Sequence, residues 1–261
     1  MEPVIGAEQF YEKTGFTSVA INLRTEEIGD MAFYACKDLQ EIRIPDNVKR
    51  IGEYAFRECE SLQKVRLGTG LTLLGKGAFG HCARIEAIVF HENLTEIGDM
   101  AFFDCHALSE VTLNEGLRHI GESAFACTAI SEIALPDSLI EMGVGVFSAC
   151  SQLTKVTIGK GLNAIPPVTF SNCEKLFSIT LPSNVHKLEA RAFENCFSLA
   201  EISLPATLTY LGKAFRNCKT LKDITFEGTK EMWIAIEKEE GWNADLPPDY
   251  TVHCSDGTIT K

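Results

Sequence analysis

Two stretches of the chain decide its fold: residues 27–48 read EIGDMAFYACKDLQEIRIPDNV, and residues 96–117 read EIGDMAFFDCHALSEVTLNEGL. Both follow one pattern, IGxxAFxxCxxLxxIxI, in which Val or Leu can replace Ile. Variants of this unit recur at intervals of 22 or 23 residues over about 200 of the 261 residues. A unit this short cannot enclose a hydrophobic core alone, so the repeat predicts a solenoid of stacked coils.

The cysteines belong to this repeat. Nine of the ten keep its interval, and only Cys254 lies outside it: Cys36, Cys59, Cys82, Cys105, Cys127, Cys150, Cys173, Cys196 and Cys218. Stacked coils about 4.8 Å apart would allow disulfides. The slot lies in an apolar turn, however, and unpaired cysteine is among the most buried residue types, which favours reduced thiols. The absence of a CxxC pair argues against a zinc site or a redox pair in this column.

Each part of the unit predicts an element of structure. The LxxIxI stretch alternates apolar and polar residues, which is typical of a strand, and stacking makes these strands one parallel sheet. The AFxxC segment is predicted to be a single helical turn on the opposite wall, with its Phe pointing inward. Two units are one residue shorter, and we place the losses between Phe125 and Cys127 and between Leu211 and Phe215.

The unit resembles the BspA-type leucine-rich repeat of bacterial proteins, as the two quoted stretches show. The C-terminal stretch from Ile224 to Ile259 resembles the tail that often ends such proteins. The resemblance implies an α/β repeat solenoid: a right-handed leucine-rich-repeat superhelix with a parallel β-sheet on one face and short helical turns on the other. It also implies a binding role, often at the cell surface, with no catalytic residues to carry over.

The ends of the chain are predicted to cap the solenoid, because an open end would expose core and strand edges. We predict an N-terminal cap over residues 1–15, a repeat region of nine to ten coils over 16–227, and a C-terminal cap over 228–261. Residues 7–14 would be a short helix that places Phe10 and Tyr11 over one end. At the other end, residues 230–239 would form a helix, both tryptophans would pack in the cap, and a hairpin would turn at Ser255-Asp256-Gly257.

Charge and composition narrow the class of partner. The chain carries 36 acidic residues against 24 Lys and Arg, a net charge of −12. An acidic protein is a poor candidate for tracking nucleic acid or docking on anionic lipid, and no apolar run is long enough for a membrane span. The N-terminus, MEPVIGAEQFYEK, lacks the features of a signal peptide. The missing signal-peptide features and the many free thiols predict a cytoplasmic protein; the alternative is an extracellular or cell-surface location if a leader is missing. We also expect the protein to be monomeric.

One column has the residue types of a metal site. The residue before each cysteine is Glu58, His81 or Asp104 in three consecutive units, so these side chains should stack. Carboxylates and imidazole can bind a divalent ion, but three ligands in a row do not converge as tetrahedral zinc prefers. A divalent-metal site or enzyme built on this column is therefore kept as an alternative only. No nucleophile elbow, HExxH motif or phosphate-binding loop occurs, so we predict no enzyme and no cofactor.

The outward side chains of the strands are the predicted binding surface. Repeat solenoids use such extended surfaces for binding, and we predict a protein or peptide partner here. An exported adhesin that binds a host or matrix protein is the alternative. Phe177, the one aromatic residue that looks exposed, is the natural anchor. The predicted contact residues are Arg43, Lys64, Arg66, Thr112, Glu132, Thr157, Phe177, Thr180 and Ser203.

Overall fold

The chain divides into two compact units, Met1–Ile130 and Ser131–Lys261, in a computed structural model that describes residues 4–260. Each unit is a β-solenoid of stacked coils, as the repeat predicts. A coil contains two short strands. We call the strand formed by the LxxIxI stretch the A strand. The two-residue strand of the other sheet, which in most coils ends at the aliphatic residue before Gly, is the B strand. A turn segment containing AFxxC leads from each B strand to the next A strand.

The A strands pair in parallel with equivalent residues of neighbouring coils opposite each other, as Ile42 is to Val65. In the N-terminal unit they are Ser18–Val19, Glu41–Arg43, Lys64–Arg66, Ala87–Val89 and Glu110–Thr112. In the C-terminal unit they are Glu132–Ala134, Lys155–Thr157, Ser178–Thr180, Glu201–Leu204, Asp223–Phe226 and Thr251–Cys254.

The predicted single sheet on this face is wrong, because the A strands form shorter ladders. Within residues 4–130, no ladder joins Lys64–Arg66 to Ala87–Val89. Within residues 131–260, none joins Lys155–Thr157 to Ser178–Thr180. Each unit therefore has one interruption in its A sheet.

The B strands form a second parallel sheet in each unit, which the sequence analysis did not predict. Two residues are too few for apolar and polar positions to show an alternation. In the N-terminal unit the B strands are Val4–Ile5, Glu27–Ile28, Arg50–Ile51, Leu73–Leu74, Glu96–Ile97 and His119–Ile120. In the C-terminal unit they are Glu141–Met142, Ala164–Ile165, Lys187–Leu188, Tyr210–Leu211 and Glu237–Lys238.

The turn segment is a run of tight turns, so the predicted helical turns are wrong. Its backbone N–H groups donate alternately to carbonyls of the same coil and to carbonyls of the next coil. Cys36 N–H donates to the carbonyl of Phe33 three residues back (3.2 Å), whereas Phe33 N–H donates to Ala55 in the next coil (2.7 Å). Met31 and Ala35 both have φ of 52°, in the left-handed region that a right-handed helix excludes. The segment therefore joins coils through its backbone, as a strand does, while still turning the chain.

Stacked phenylalanines fill the core beneath the turn segments. Phe33 and Phe56 lie nearly parallel with ring centroids 4.9 Å apart, and Phe56 and Phe79 are 5.0 Å apart. In the C-terminal unit Phe170 and Phe193 are 5.5 Å apart. These distances are close to the spacing between strands of a sheet. The spacing between coils therefore determines the spacing between the stacked rings.

Seven of the column cysteines donate a hydrogen bond from the thiol to a carbonyl of the preceding coil: Cys36, Cys59, Cys82, Cys105, Cys173, Cys196 and Cys218. The thiol of Cys59 donates to the carbonyl of Phe33 at 3.1 Å, and the thiol of Cys82 donates to Phe56 at 3.1 Å. The Phe33 carbonyl also accepts the N–H of Cys36, so one carbonyl receives a donor from its own coil and one from the next. All ten cysteines are free thiols, and eight of them are buried.

The short coil that ends the N-terminal unit corrects the alignment of this column. Thr128, not Cys127, occupies the cysteine slot: it is buried, and its hydroxyl donates to the carbonyl of Phe125 at 2.9 Å. Cys127 has φ of 60°, like Asp104 in the preceding coil, and so belongs to the column before the cysteines. The lost residue therefore lies after Thr128, and the predicted deletion between Phe125 and Cys127 is wrong.

The N-terminal segment forms turns of the repeat type, so the helix predicted over residues 7–14 is wrong. Glu8 and Glu12 have φ of 56° and 52°. Phe10 N–H donates to the carbonyl of Ala32 (2.7 Å), and the Phe10 ring stacks on Phe33 at 4.8 Å. Phe10 thus takes the repeat's phenylalanine position. Residues 1–3 of the predicted N-terminal cap and residue 261 of the predicted C-terminal cap lie outside the described residues.

The C-terminal segment adds strands to both sheets of its unit. The predicted helix is shorter than expected, Lys230–Ala235, and the following Glu237–Lys238 is a B strand. Thr251–Cys254 pairs in parallel with Asp223–Phe226 and forms the predicted hairpin with Gly257–Thr260. Both tryptophans pack in this region, as predicted, with ring centroids 5.7 Å apart.

Gly68 allows a close approach between two coils. A Cβ atom added at Gly68 would lie 2.3 Å from the carbonyl oxygen of Pro45 in the preceding coil. Gly159 makes the same approach to Pro136 in the C-terminal unit, also at 2.3 Å. In both units, the coil with this glycine is the coil whose A strand has no ladder to the next one.

We expect Gly68→Ala to destabilise the protein, because the added methyl group would overlap backbone atoms that cannot move independently. The expected loss is about 1–3 kcal/mol of unfolding free energy, measured by urea denaturation. Gly80→Ala is the control, since its Cβ would meet nothing closer than 3.4 Å. Equal losses in the two variants would contradict the close approach at Gly68.

We also expect the column thiols to be unreactive in the folded protein. Burial raises the pKa of Cys105 to about 12 and that of Cys218 to about 12, so neither is a thiolate near neutral pH. Titration with a thiol reagent should label only the half-buried Cys127 and Cys254 in the folded protein, and all ten cysteines in concentrated guanidinium. A variant with Ser at both half-buried positions should show no rapid reaction, and rapid labelling of that variant would refute the assignment.

Candidate functional site

The A face, which we define as the outward side chains of the A strands and the residue directly before each of them, is exposed as predicted. In each three-residue A strand the first and last side chains point to solvent and the middle one points inward, as in Glu41–Arg43. Of the predicted contact residues, the structure exposes Arg43, Lys64, Arg66 and Thr112 in the N-terminal unit and Glu132, Thr157, Phe177 and Thr180 in the C-terminal unit; Ser203 is half-buried.

Three cations lie together on the A face of the N-terminal unit. Arg43 and Arg66 are directly opposite each other in the parallel ladder, and Lys64 is two residues from Arg66 on the same strand. Among the residues that the structure describes, none of the three forms an ion pair. Like charges in register destabilise a sheet, so this arrangement is not one that the fold itself favours.

A groove of about 420 Å³ lies beside these cations. Arg43, Arg66 and His91 contribute basic groups to its lining, whereas Val65 and Val89 contribute apolar surface. It coincides with the interrupted ladder between Lys64–Arg66 and Ala87–Val89. Residues on three consecutive coils thus converge on one basic and partly apolar opening.

Asp46 contributes a carboxylate to the lining of this groove, and that carboxylate already accepts a hydrogen bond within the protein. Its carboxylate accepts the N–H of Thr69 at 2.9 Å. That hydrogen bond is the main cause of a lowered Asp46 pKa, and the nearby Arg43 and His91 lower the pKa further. Asp46 therefore stays ionised and offsets only part of the positive charge.

The A face of the C-terminal unit is different in charge and in pairing. Lys155, at the register position that corresponds to Lys64, is 3.6 Å from the carboxylate of Glu132. A groove of about 330 Å³ has a polar lining that includes Thr180, Ser203 and His253. His253 Nε2 lies 2.9 Å from the carboxylate of Asp223. Lys155 and His253 thus each lie close to a carboxylate of the protein itself.

Two phenylalanines of the C-terminal unit are exposed, whereas the sequence analysis predicted one. Phe177 is 55% exposed, as expected, and Phe197 is 51% exposed. Phe197 follows Cys196 directly, at a position that holds Lys37, Glu60 or His106 in other coils. Because this position is polar in most coils, the sequence indicated that an aromatic residue there would face solvent.

The suspected metal column does not gather three ligands. His81 Nδ1 lies 2.9 Å from the Asp104 carboxylate, which also lies 3.3 Å from His106. Glu58 instead accepts the hydroxyl of Tyr34 at 2.9 Å. Within residues 4–260, no group of three or more His, Cys, Asp or Glu side chains could hold a metal ion.

Backbone conformation explains the composition of this column. Glu58, His81 and Asp104 have φ near 60°, and so do Asn172, Asn195 and Asn217 in the C-terminal unit. Asn, Asp and His are enriched in the left-handed region. The three asparagines also bond to one another, with Asn195 donating to Asn172 at 2.9 Å. The residue types that suggested metal ligation are therefore accounted for by the turn.

The chain belongs to the BspA-type leucine-rich repeat family. The family described as "BspA type Leucine rich repeat region (6 copies)" matches residues 3–126, 72–195 and 141–233. No curated protein sequence matches the chain. No helix among the described residues has the length and apolar character needed to cross a membrane.

Solved structures similar to this chain come from several bacteria. A leucine-rich repeat protein from Bacteroides ovatus is 27% identical with a TM-score of 0.59, and the match covers 96% of this chain and 75% of that one. The leucine rich repeat protein of T. pallidum is 22% identical with a TM-score of 0.51, over 70% and 78% of the two chains. A leucine rich cell surface protein from Faecalibacterium prausnitzii is 25% identical with a TM-score of 0.48, over 91% and 86%.

We expect Arg66→Thr to stabilise the protein, because it removes one of two like charges in register and introduces a good strand former. The expected gain is roughly 0.2–1 kcal/mol in the free energy of unfolding at low salt, and it should shrink at high salt as the repulsion is screened. Urea denaturation at two salt concentrations measures both. Lys155→Thr is the control, since it removes the partner of Glu132 and should bring no gain.

Proposed function

We propose that this protein is a non-catalytic interaction module that binds a protein or peptide partner on its A face. Leucine-rich repeat proteins of this kind are typically protein-interaction or surface proteins, which supports the general class. Binding on the A face, and the residues that would make the contacts, are the proposal.

The observation that carries the proposal is that the A strands expose outward side chains to solvent at a fixed spacing. The middle residue of each three-residue A strand is buried or half-buried and holds the strand in place, and its two neighbours point to solvent. The fold therefore constrains the outward residues very little, and their identities can serve recognition. Rigid strands also lose little conformational entropy when a partner binds.

Each unit offers its own set of contacts. The N-terminal unit presents Arg43, Lys64, Arg66 and Thr112. The C-terminal unit presents Glu132, Thr157, Phe177, Thr180 and Ser203. Phe177 is the proposed anchor, because exposed aromatic side chains that become buried dominate interface energetics.

The remaining features agree with a soluble protein partner in a reducing compartment. A net charge of −12 repels nucleic acid and anionic membranes. Ten free thiols are more typical of a reducing environment than of an oxidising one. We therefore propose a cytoplasmic, monomeric module without a cofactor, and the alternative of a surface adhesin predicts that its partner is found in extracellular matrix.

The test is capture from cell lysate and, separately, from matrix extract, with two triple variants beside the wild type. Thr157→Lys, Phe177→Ser and Thr180→Glu alter the A face of the C-terminal unit. Ile140→Ser, Asn163→Glu and Thr209→Lys alter exposed positions directly before B strands of that unit with the same net charge.

We expect a partner that the wild type and the B-side variant retain and the A-face variant loses. The extract that supplies this partner decides between the cytoplasmic and surface alternatives. Loss through the B-side variant alone would refute the A face as the binding surface in this unit.

A further inference from the structure

The basic opening on the A face of the N-terminal unit combines three properties that do not occur together at the other A strands. Its cations are unpaired among the described residues, two of them are in register, and the ladder next to them is interrupted. Lys64 and Lys155 each lie opposite a glutamate in the ladder, Glu41 and Glu132. Only Lys155 is within ion-pair distance of that glutamate, at 3.6 Å.

The adjoining coil leaves this charge uncompensated. The outward residues that follow Lys64 and Arg66 in the next coil are Ala87 and Val89, which are exposed and uncharged. Val89 is 51% exposed. Positive charge thus borders a small apolar surface, in a chain whose overall charge is negative.

Gly68 lies in the coil that borders the opening. The glycine lets its coil approach the preceding coil at Pro45, and the A strand of the same coil forms no ladder with the following one. The groove lies on the side of that missing ladder and is lined by Leu67 and Thr69, the two neighbours of Gly68. A close approach on one side thus coincides with an opening on the other.

The size and lining of the groove favour an extended peptide. A volume of about 420 Å³ accommodates a few side chains but not a folded domain. Acidic side chains would pair with Arg43, Lys64 and Arg66, and their methylene groups would cover Val89. An extended peptide points every second side chain to the same side, so alternation of acidic with apolar residues turns all the acidic side chains toward the cations.

We propose that this opening binds an extended acidic peptide segment in which acidic and apolar residues alternate. The inference rests on the proposed function and names the partner chemistry for the N-terminal unit. Charge complementarity identifies the occupant. Arg43, Lys64 and Arg66 outnumber the nearby carboxylates, which are Glu41 opposite Lys64 and Asp46, already bonded to Thr69. The ligand supplies further negative charge. Long polyanions are disfavoured, since the rest of the chain repels them.

The test measures binding of a fluorescein-labelled Glu-Val repeat peptide to the full chain by fluorescence anisotropy. A Gln-Val peptide and a Lys-Val peptide of equal length are the ligand controls. We expect the acidic peptide to bind more tightly than the neutral one, and its affinity to fall as salt is raised.

The double variant Arg43→Glu/Arg66→Glu should weaken binding of the acidic peptide by about tenfold or more. The same variant should gain affinity for the Lys-Val peptide, which shows that it is folded. Lys155→Glu, in the C-terminal unit, should leave binding unchanged.

Equal binding of the acidic and neutral peptides would overturn the proposal, as would an unchanged affinity in the double variant. Tighter binding of a sulfated polysaccharide or an oligonucleotide through the same two arginines would also overturn it. If the acidic peptide fails while the A-face variant of the C-terminal unit still loses its captured partner, this inference falls and the proposed function stands.

Discussion

The Phe33 carbonyl accepts two hydrogen bonds, one from the N–H of Cys36 in its own coil and one from the thiol of Cys59 in the next. Equivalent thiol bonds recur along the column, as from Cys82 to Phe56. They occur where the turn segment alternates bonds within a coil and bonds between coils. Because this one arrangement satisfies the buried backbone and spaces the phenylalanines for stacking, the two sheets of each unit and the side chains they display depend on it.

The same constraint explains why the surface can vary. The core positions are fixed by packing and by these hydrogen bonds, so a substitution there has structural consequences in two coils at once. The fold fixes the positions of the outward A-face side chains but not their residue types. Arg43 and Arg66 lie opposite each other although that pairing costs stability, whereas Lys155 faces an acidic partner. A pair that lowers stability, at positions where the fold tolerates other residue types, points to a binding function.

Sequence reasoning was reliable where the repeat was regular and failed where the backbone departed from the expected conformation. It predicted the inward and outward positions of the A strands, the buried cysteine column, the packing of both tryptophans and the C-terminal hairpin. It assigned a helix to a segment in which Met31 and Ala35 are left-handed, because an AFxxC pattern looks the same in a helical turn and in consecutive tight turns. It also counted Cys127 in the cysteine column, since a shift of one residue cannot be seen without the hydrogen bond of Thr128.

The sequence by itself determined that the chain is a leucine-rich-repeat solenoid, because only a stack of short units can bury apolar residues repeated every 22 or 23 positions. It also determined which A-strand side chains face solvent, since their alternation has a period of two. The tertiary structure alone decided that the A sheet is interrupted after Lys64–Arg66 and that Arg43, Arg66 and His91 share one groove. The reason is physical: the distance between coils depends on contacts such as that of Gly68 with Pro45, which join residues far apart in sequence.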